Sequence, residues 1–245
     1  MAETFEAWWA TIGIVTKVLM IISIFTTASF SFGFISPYSF TIDWSSFVWN
    51  LQLWRPITSM LFLGKFGFPW LINIAMMVMY LRKHEDEDFQ GRTADLVWMI
   101  FILCASLHFV AFFLGLPLVS HAFSMSLVWI FCKRHEDAQL KIMSFAVRAS
   151  LFPWAMTAFH LILGQDWFSD VVGIVGGHVY FFLADILPKT HNITLIRTPA
   201  LLYQWFPKKQ LTAFSVHAPP IHRAFAENGA GPHTWGTGRT LGGGQ

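Results

Sequence analysis

The sequence is poor in charged residues, which make up only 12% of its 245 residues. Soluble globular chains carry about 25% charged residues, so this proportion argues against a soluble domain and indicates a protein whose solvent is lipid. A net charge of +2 without a dense basic cluster argues against nucleic acid as a partner. With only two cysteines, Cys104 and Cys132, both in apolar stretches, a disulfide framework is excluded and free thiols are expected.

Basic residues are also missing from the first ten positions, which read MAETFEAWWA. The apolar stretch behind them is too long for the core of a cleavable signal peptide. We therefore expect residues 1–16 to form an interfacial segment in the cytosol. We predict neither a cofactor nor a metal site from the sequence.

Apolar residues are abundant, at 55% of the chain with a mean hydropathy of +0.52. The charge-free window 96–132 would extend ~55 Å as one helix, almost twice the ~30 Å hydrocarbon core. The Gly115-Leu116-Pro117 break is expected to divide it into two antiparallel spans. Four further charge-free windows lie at 18–42, 66–81, 149–165 and 171–184. We predict an all-α membrane protein with six transmembrane helices in residues 17–190.

The sixth window, 171–184, is short. As a helix it reaches only ~21 Å, so it would require a locally thinned bilayer or shelter among other helices.

The distribution of lysine and arginine predicts the orientation. With six spans, all 16 basic residues except Arg55 and Lys65 lie on the side of the two termini, which the positive-inside rule assigns to the cytosol. Two loops on that side carry RKHED at 82–86 and KRHED at 133–137. We interpret both as basic anchors at helix ends followed by solvated charge, rather than as a metal or pH sensor.

The first lumenal loop, at about 38–65, has an aromatic face at helical spacing and predicts a helix lying in the membrane interface. That face consists of Trp44, Phe47, Val48, Leu51 and Trp54. Residues 191–245 form a predicted cytosolic tail, which is rich in Gly, Pro and Ala and is expected to be largely disordered from about 212.

Five motifs occur in the order found in the Derlins, the catalytically inactive members of the rhomboid superfamily in the endoplasmic reticulum. They are LWRPIT at 53–58, FQGRTAD at 89–95, LFPW at 151–154, the glycine-striped segment 173–182 and the tail motif at 235–241. The chain therefore resembles a Derlin. This resemblance implies a rhomboid-like fold in the membrane of the endoplasmic reticulum.

Two of these motifs predict structural contacts. Trp54-Arg55 resembles the first-loop signature, in which the arginine can stack on the tryptophan and donate hydrogen bonds to backbone carbonyls; a loop anchor is favoured over a substrate contact. Gly173, Gly176 and Gly177 are expected to let a neighbouring helix approach closely. The resemblance implies that this neighbour is the fourth span.

The sequence does not support a protease. No Gly-x-Ser-Gly occurs, and Ser120, Ser124 and Ser126 of the fourth span have no flanking glycine. The resemblance places the catalytic histidine of proteolytic rhomboids three residues before the glycine stripe, where this chain has Asp170. His178 follows the stripe and is predicted to be a buried polar residue that bonds a neighbouring helix.

The tail motif predicts a partner. Trp235, Gly236, Gly238 and Leu241 resemble the short motif by which Derlins recruit the valosin-containing AAA ATPase. An extended peptide with aromatic and leucine anchors suits that role.

The resemblance implies a role in endoplasmic-reticulum-associated degradation, in which misfolded proteins are moved to the cytosol together with a membrane-embedded ubiquitin ligase. We expect the bilayer to be thinned, substrate to pass laterally between the second and fifth spans, and the ATPase to pull. Asn73, His160 and His178 could line a polar path. The sequence leaves open whether the chain forms homo- or hetero-oligomers. Alternative functions are an active intramembrane serine protease and a small channel that works alone.

Overall fold

The computed structural model describes residues 2–52, 54–142 and 145–207, which are mostly helical. The α-helices are α1 Ala2–Thr11, α2 Ile14–Ser31, α3 Trp44–Trp49, α4 Arg55–Leu61, α5 Phe68–Lys83, α6 Thr93–Leu114, α7 Ser120–Arg134, α8 Phe152–Ile162, α9 Trp167–Phe181, α10 Leu187–His191 and α11 Ala200–Trp205. A 3-10 turn covers Pro37–Ser39, and π-helical segments cover His84–Asp88 and Phe182–Ile186. Strands β1 Gln139–Ile142 and β2 Phe145–Arg148 pair antiparallel.

Every predicted window contains a helix, namely α2, α5, α6, α7, α8 and α9. Within the described residues, three helices are long and apolar enough to cross a membrane: Ile14–Ser31, Thr93–Leu114 and the continuous helix Trp167–His191. The helices α5, α7 and α8 have 16, 15 and 11 residues. The chain is thus a multi-pass helical membrane protein, and the count of six spans stays a prediction.

Proline and glycine fix several helix boundaries. Pro69 and Pro153 lie in the first turns of α5 and α8, where the missing N–H would have no helical acceptor. Gly115 has a φ of +65° and ends α6, a left-handed conformation that costs glycine little. The predicted break at Gly115 is therefore confirmed.

The prediction of a short sixth span is wrong. The helix runs without interruption through 25 residues from Trp167 to His191, a length of ~37 Å. The charge that closed the predicted window, Asp185, accepts a hydrogen bond from Arg134 at 2.8 Å, so the helix continues past a neutralised carboxylate. The shortest of the helices in the six windows is α8, at ~16 Å for its 11 residues.

The prediction of one interfacial helix in the first loop is also wrong. The helix α3 ends at Trp49, and Leu51 has a φ of +51°, which breaks the aromatic face before α4 begins. Trp44 packs edge-to-face on Phe112 of α6, with ring centroids 5.1 Å apart. The loop therefore consists of short helical pieces, and one of them is attached to the bundle through an aromatic contact.

The helix α7 lies at the centre of the bundle. It contacts α4, α5, α6, α8 and α9, and its side chains are buried from Met125 to Cys132. A helix that is apolar on all sides is expected to be surrounded by other helices. The core around it includes Met77 and Tyr80 of α5 and Leu107 of α6.

Two carboxylates on the predicted cytosolic side attach other segments to the bundle. Glu85 accepts hydrogen bonds from the backbone N–H groups of Val15 and Thr16 at 3.2 and 3.1 Å, so it caps the positive end of α2. Asp95 at the start of α6 accepts hydrogen bonds from the hydroxyls of Thr198 and Tyr203. Through Asp95 the segment around α11 returns to the bundle.

Candidate functional site

Arg55 joins separate parts of the first loop through side-chain hydrogen bonds. Its Nη1 donates to the carbonyl oxygens of Tyr38 and Thr41 at 2.9 and 2.7 Å, and its Nε donates to the side chain of Gln52. Because these acceptors span the loop, one guanidinium fixes the path of the chain from the 3-10 turn to α4. The neighbouring Trp54 is 55% exposed, which places its ring at the surface of the protein.

The three glycines of α9 face two helices. A Cβ on Gly173 would lie 2.2 Å from the backbone oxygen of Ala122, and one on Gly177 would lie 2.9 Å from that of Ser126. Both neighbours belong to α7. A Cβ on Gly176 would instead lie 2.8 Å from Leu107 of α6. The backbones of α7 and α9 are therefore in direct contact, an arrangement that only small residues permit.

Two of the three predicted path residues, Asn73 and His160, are buried, and both bond to Gln165. Asn73 donates from Nδ2 to the side-chain oxygen of Gln165 at 3.4 Å. His160 is hydrogen-bonded through Nδ1 to Asp170 at 2.6 Å, and its backbone oxygen accepts from the N–H of Gln165. These contacts join α5, α8 and α9 at the ends that the sequence assigns to the lumen.

The structure differs from the prediction for the third path residue, His178. His178 is exposed, so the expectation of a buried side chain is wrong. Its ring packs edge-to-face on Trp129 of α7 with centroids 5.8 Å apart. The reason is its position about 140° around α9 from Gly173, which places it at the rim of the α7–α9 contact. His178 therefore does not share a site with Asn73 and His160.

Asp170 occupies the place at which the resemblance expects a catalytic histidine. Its side chain is buried and is engaged by His160 of α8. Of the α7 serines, Ser126 is buried and donates to the carbonyl of Phe123 at 2.7 Å. A serine held by its own helix in this way has no basic partner to activate it.

The predicted cytosolic ends of α5, α7 and α9 are joined by a charged network. Arg134 donates to Asp88 at 3.1 Å and to Asp185 at 2.8 Å, while His84 contacts Asp88 at 2.6 Å and the carbonyl of Leu127 at 2.9 Å. His84 and Arg134 belong to the two sequence patterns that were interpreted as basic anchors followed by solvated charge. That interpretation is wrong for His84, which is fully buried. Asp88, two residues beyond the first pattern, has a side chain that is only 7% exposed.

The network perturbs the acidity of Asp88. Burial alone raises the pKa of this carboxyl, but the hydrogen bond and charge of His84 and the charge of Arg134 together lower the pKa below its ordinary value. Asp88 is therefore held in its ionised form at the junction.

The predicted ATPase-binding residues Trp235, Gly236, Gly238 and Leu241 lie outside the described residues. Both cysteines are free, with Cys132 buried in α7 and Cys104 partly buried in α6, as predicted.

A bundle of apolar helices with a closely packed glycine interface and no extramembrane domain in its described part defines a polytopic integral membrane protein. Comparison with known proteins adds its family. The model of the Der1-like family matches residues 12–200, and the chain belongs to this family.

Curated relatives support this assignment over most of the chain. The chain is 25% identical to Derlin-2.2 of Arabidopsis thaliana over 218 residues, which cover 84% of this chain and 89% of that one. It is 27% identical to Derlin-1 of Bos taurus and to Derlin-1 of Homo sapiens over 246 residues, covering 96% of this chain and 97% of each relative. These matches support the resemblance to Derlins drawn from the sequence.

Proposed function

We propose that this protein is a translocation factor of endoplasmic-reticulum-associated degradation that moves misfolded proteins towards the cytosol without cleaving them. The observation that carries the proposal is the match of the Der1-like family over residues 12–200. Family membership suggests the pathway, and the structural features below supply a physical mechanism.

The residues of the bundle support the proposal that the protein does not cleave its substrate. The chain has no Gly-x-Ser-Gly, and Asp170 stands at the position where a rhomboid protease would have its histidine. A nucleophile and its base must lie within hydrogen-bond reach. His178 is at the rim of α9, next to Trp129, and not beside a serine of α7. The chain is better suited to guiding a polypeptide than to cutting one.

The bilayer is the main obstacle to such movement, because an unpaired backbone amide in hydrocarbon costs several kcal/mol. A thinner bilayer shortens the distance over which this cost applies. We assign the thinning to α8, whose 11 residues span ~16 Å, about half of the hydrocarbon core. The short helical pieces of the first loop would disturb the leaflet on the predicted lumenal side.

Substrate would enter between α5 and α8. Tyr80 of α5 contacts Phe152 of α8 through their rings, with centroids 6.0 Å apart, and Asn73 of α5 reaches Gln165 just beyond α8. Phe159 lies on the same face of α8 as Phe152 and packs against the hydrophobic core. A segment that separates the two helices would break the hydrogen bond of Asn73 with Gln165, which is long at 3.4 Å, and the ring contact of Tyr80 with Phe152.

The pulling force would come from an AAA ATPase bound to the tail motif at 235–241. An ATPase bound to the tail would stay near the membrane, where its local concentration is raised. A membrane-embedded ubiquitin ligase would mark the substrate on the same side.

Two experiments in microsomes that lack other Derlins test this mechanism. Insertion of one apolar turn in α8 is expected to slow the release of a misfolded lumenal reporter, and the same insertion in α6, which already has 22 residues, serves as the control. Equal release from both variants would contradict thinning by α8.

The second experiment places a photoactivatable residue at Phe159 or at Ile24. Ile24 lines a separate apolar groove of about 700 Å³ between α2 and α5. Crosslinks to a transiting reporter are expected at Phe159. Crosslinks at Ile24 alone would show that substrate uses the other groove.

A further inference from the structure

Three side chains that commonly bind metal ions converge at the ends of three helices. His121 is the second residue of α7, His160 is close to the end of α8, and Asp170 lies in the first turn of α9. One ligand atom from each residue lies within 4.8 Å of the other two. All three helix ends are on the side that the sequence assigns to the lumen.

Two polar atoms of this cluster are buried without a hydrogen-bond partner among the described residues. They are Nε2 of His160 and Oδ1 of Asp170, which belong to side chains only 7% and 1% exposed. A buried polar atom that makes no hydrogen bond costs about 1–3 kcal/mol. Two such atoms in one cluster therefore point to a missing ligand.

The two buried residues of the cluster are already close enough to share an ion. His160 is bonded through Nδ1 to Oδ2 of Asp170 at 2.6 Å. An ion bound to both residues would replace this hydrogen bond, because a carboxylate bonded to Nδ1 cannot reach an ion on Nε2, at the other edge of the ring. The first turn of α9, which carries Asp170, is capped by Asp166, whose Oδ1 accepts from the N–H of Ser169.

His121 completes the cluster from the third helix. Its ring lies edge-on to that of His160, with centroids 6.0 Å apart and an interplanar angle of 89°. Unlike the other two residues, His121 is only partly buried. An ion could therefore reach the site past His121 from the end of the bundle.

We propose that His121, His160 and Asp170 bind one divalent transition-metal ion, with Zn²⁺ as the best match, and that the fourth position is taken by water. Two imidazoles, one carboxylate and an open position form a ligand set that Zn²⁺ accepts readily. Tetrahedral Zn²⁺ with bonds of ~2.0 Å brings ligand atoms to ~3.3 Å from one another. The ligand atoms, which now lie within 4.8 Å of one another, would thus move by up to ~1.5 Å and hold the ends of α7, α8 and α9 together.

The test is a metal-binding measurement on the whole protein, purified in detergent with an affinity tag that contains no histidine. The protein is freed of metal with a chelator, and Zn²⁺ is titrated while bound metal is counted by mass spectrometry. The variants are His121→Asn and Asp170→Asn, and the matched control is His178→Gln, which changes a histidine of α9 that lies at the Trp129 rim. Wild type and control are expected to bind one Zn²⁺ per chain at this site, and the other two variants are expected to lose at least about tenfold in affinity.

Thermal unfolding provides a second readout, which does not depend on counting the bound metal ions. Zn²⁺ is expected to raise the unfolding temperature of wild type and of His178→Gln, because an ion that binds only the folded state stabilises it. His121→Asn should fold but show no such increase. Should Asp170→Asn fail to fold, His121→Asn decides the result, since His121 is the least buried of the three residues.

The visible spectrum of the Co²⁺ form gives a third measurement. Tetrahedral Co²⁺ absorbs in the visible range, and His121→Cys is expected to add a thiolate-to-metal band while it retains binding. Absence of binding to folded wild type, or binding that is the same in His121→Asn, would overturn the proposal and leave His160 and Asp170 as a structural pair.

Discussion

Gly173 of α9 lies so close to Ala122 of α7 that a Cβ at position 173 would stand 2.2 Å from the backbone oxygen of Ala122. Backbone atoms cannot shift to relieve such a close contact, whereas the end of a flexible side chain can. The helix that carries Asp170 and His178 is therefore held at a fixed distance from α7, and the geometry of the cluster of His121, His160 and Asp170 depends on this contact.

Substitution of the glycine stripe should destabilise the protein in a defined order. Gly173→Ala is expected to lower the free energy of unfolding by about 2 kcal/mol or more, because overpacking a close contact costs about 1–3 kcal/mol. Gly176→Ala should cost less, since its nearest neighbour is Cδ2 of Leu107, the end of a flexible side chain. Thermal unfolding in detergent measures both.

The control for the stripe is Gly67→Ala. The nearest atom to a Cβ there is Cδ of Pro69 at 3.8 Å, and the φ of 170° is extended backbone that any residue adopts. Unfolding temperatures that are equal for Gly173→Ala and Gly67→Ala would contradict the close approach of α7 and α9.

Removal of Arg134 should weaken the junction that it forms with Asp88 and Asp185. In Arg134→Gln the carboxylates of Asp88 and Asp185, which are 7% and 23% exposed, lose their shared cation. Breaking a buried pair costs about 3–5 kcal/mol, and the lower end applies here because Asp185 is partly exposed. Arg82→Gln is the matched control, since its pair with Asp86 is exposed and should contribute under about 1 kcal/mol. Similar losses of stability in the two variants would argue against the junction.

Acid should weaken the same junction through Asp88. Because its folded-state pKa is lowered from an ordinary value of 3.8, the stability that Asp88 contributes is complete above about pH 4 and is lost as the pH falls below that value. The unfolding temperature of wild type is expected to fall over this range. Asp88→Asn should start from a lower value at pH 7 and lose less stability between pH 4 and pH 3; an identical slope would exclude Asp88 as a contributor.

The tail motif should recruit the motor without affecting the fold. Trp235→Ala and Leu241→Ala are each expected to abolish copurification of the AAA ATPase from solubilised membranes, since each removes an anchor that fills a pocket. The unfolding temperature should remain that of wild type. Phe225→Ala changes an aromatic residue of the same tail outside the motif, and loss of the ATPase in this variant as well would point to a nonspecific contact.

The spacing of charged residues predicted where helices occur, because each helix must satisfy its own backbone hydrogen bonds in lipid. It did not predict how far they extend. Asp185 was interpreted as the end of a span, whereas in the structure Arg134 pairs with it across the bundle and the helix continues. Such a pair joins residues far apart in the sequence, and nothing in the local pattern reports it.

The same reason explains which site residues were missed. The glycine stripe was visible as a repeat on one helix, but His121, His160 and Asp170 come from α7, α8 and α9 and share no motif. His121 was not named at all, and His160 was named only as a possible path residue. Asp170 was interpreted only as the residue that replaces a catalytic histidine. Its contact with His160 became apparent only when the helices were placed side by side.

The most direct test of the central claim follows an intact misfolded reporter from the lumen of microsomes into the cytosolic fraction, with the proteasome inhibited. We predict that the reporter emerges at full length, at an unchanged rate when Ser120, Ser124 and Ser126 are all replaced by alanine, and more slowly when residues 230–245 are deleted. A cleaved reporter whose appearance depends on a serine of α7 would contradict the account, as would release that is unaffected by loss of the tail.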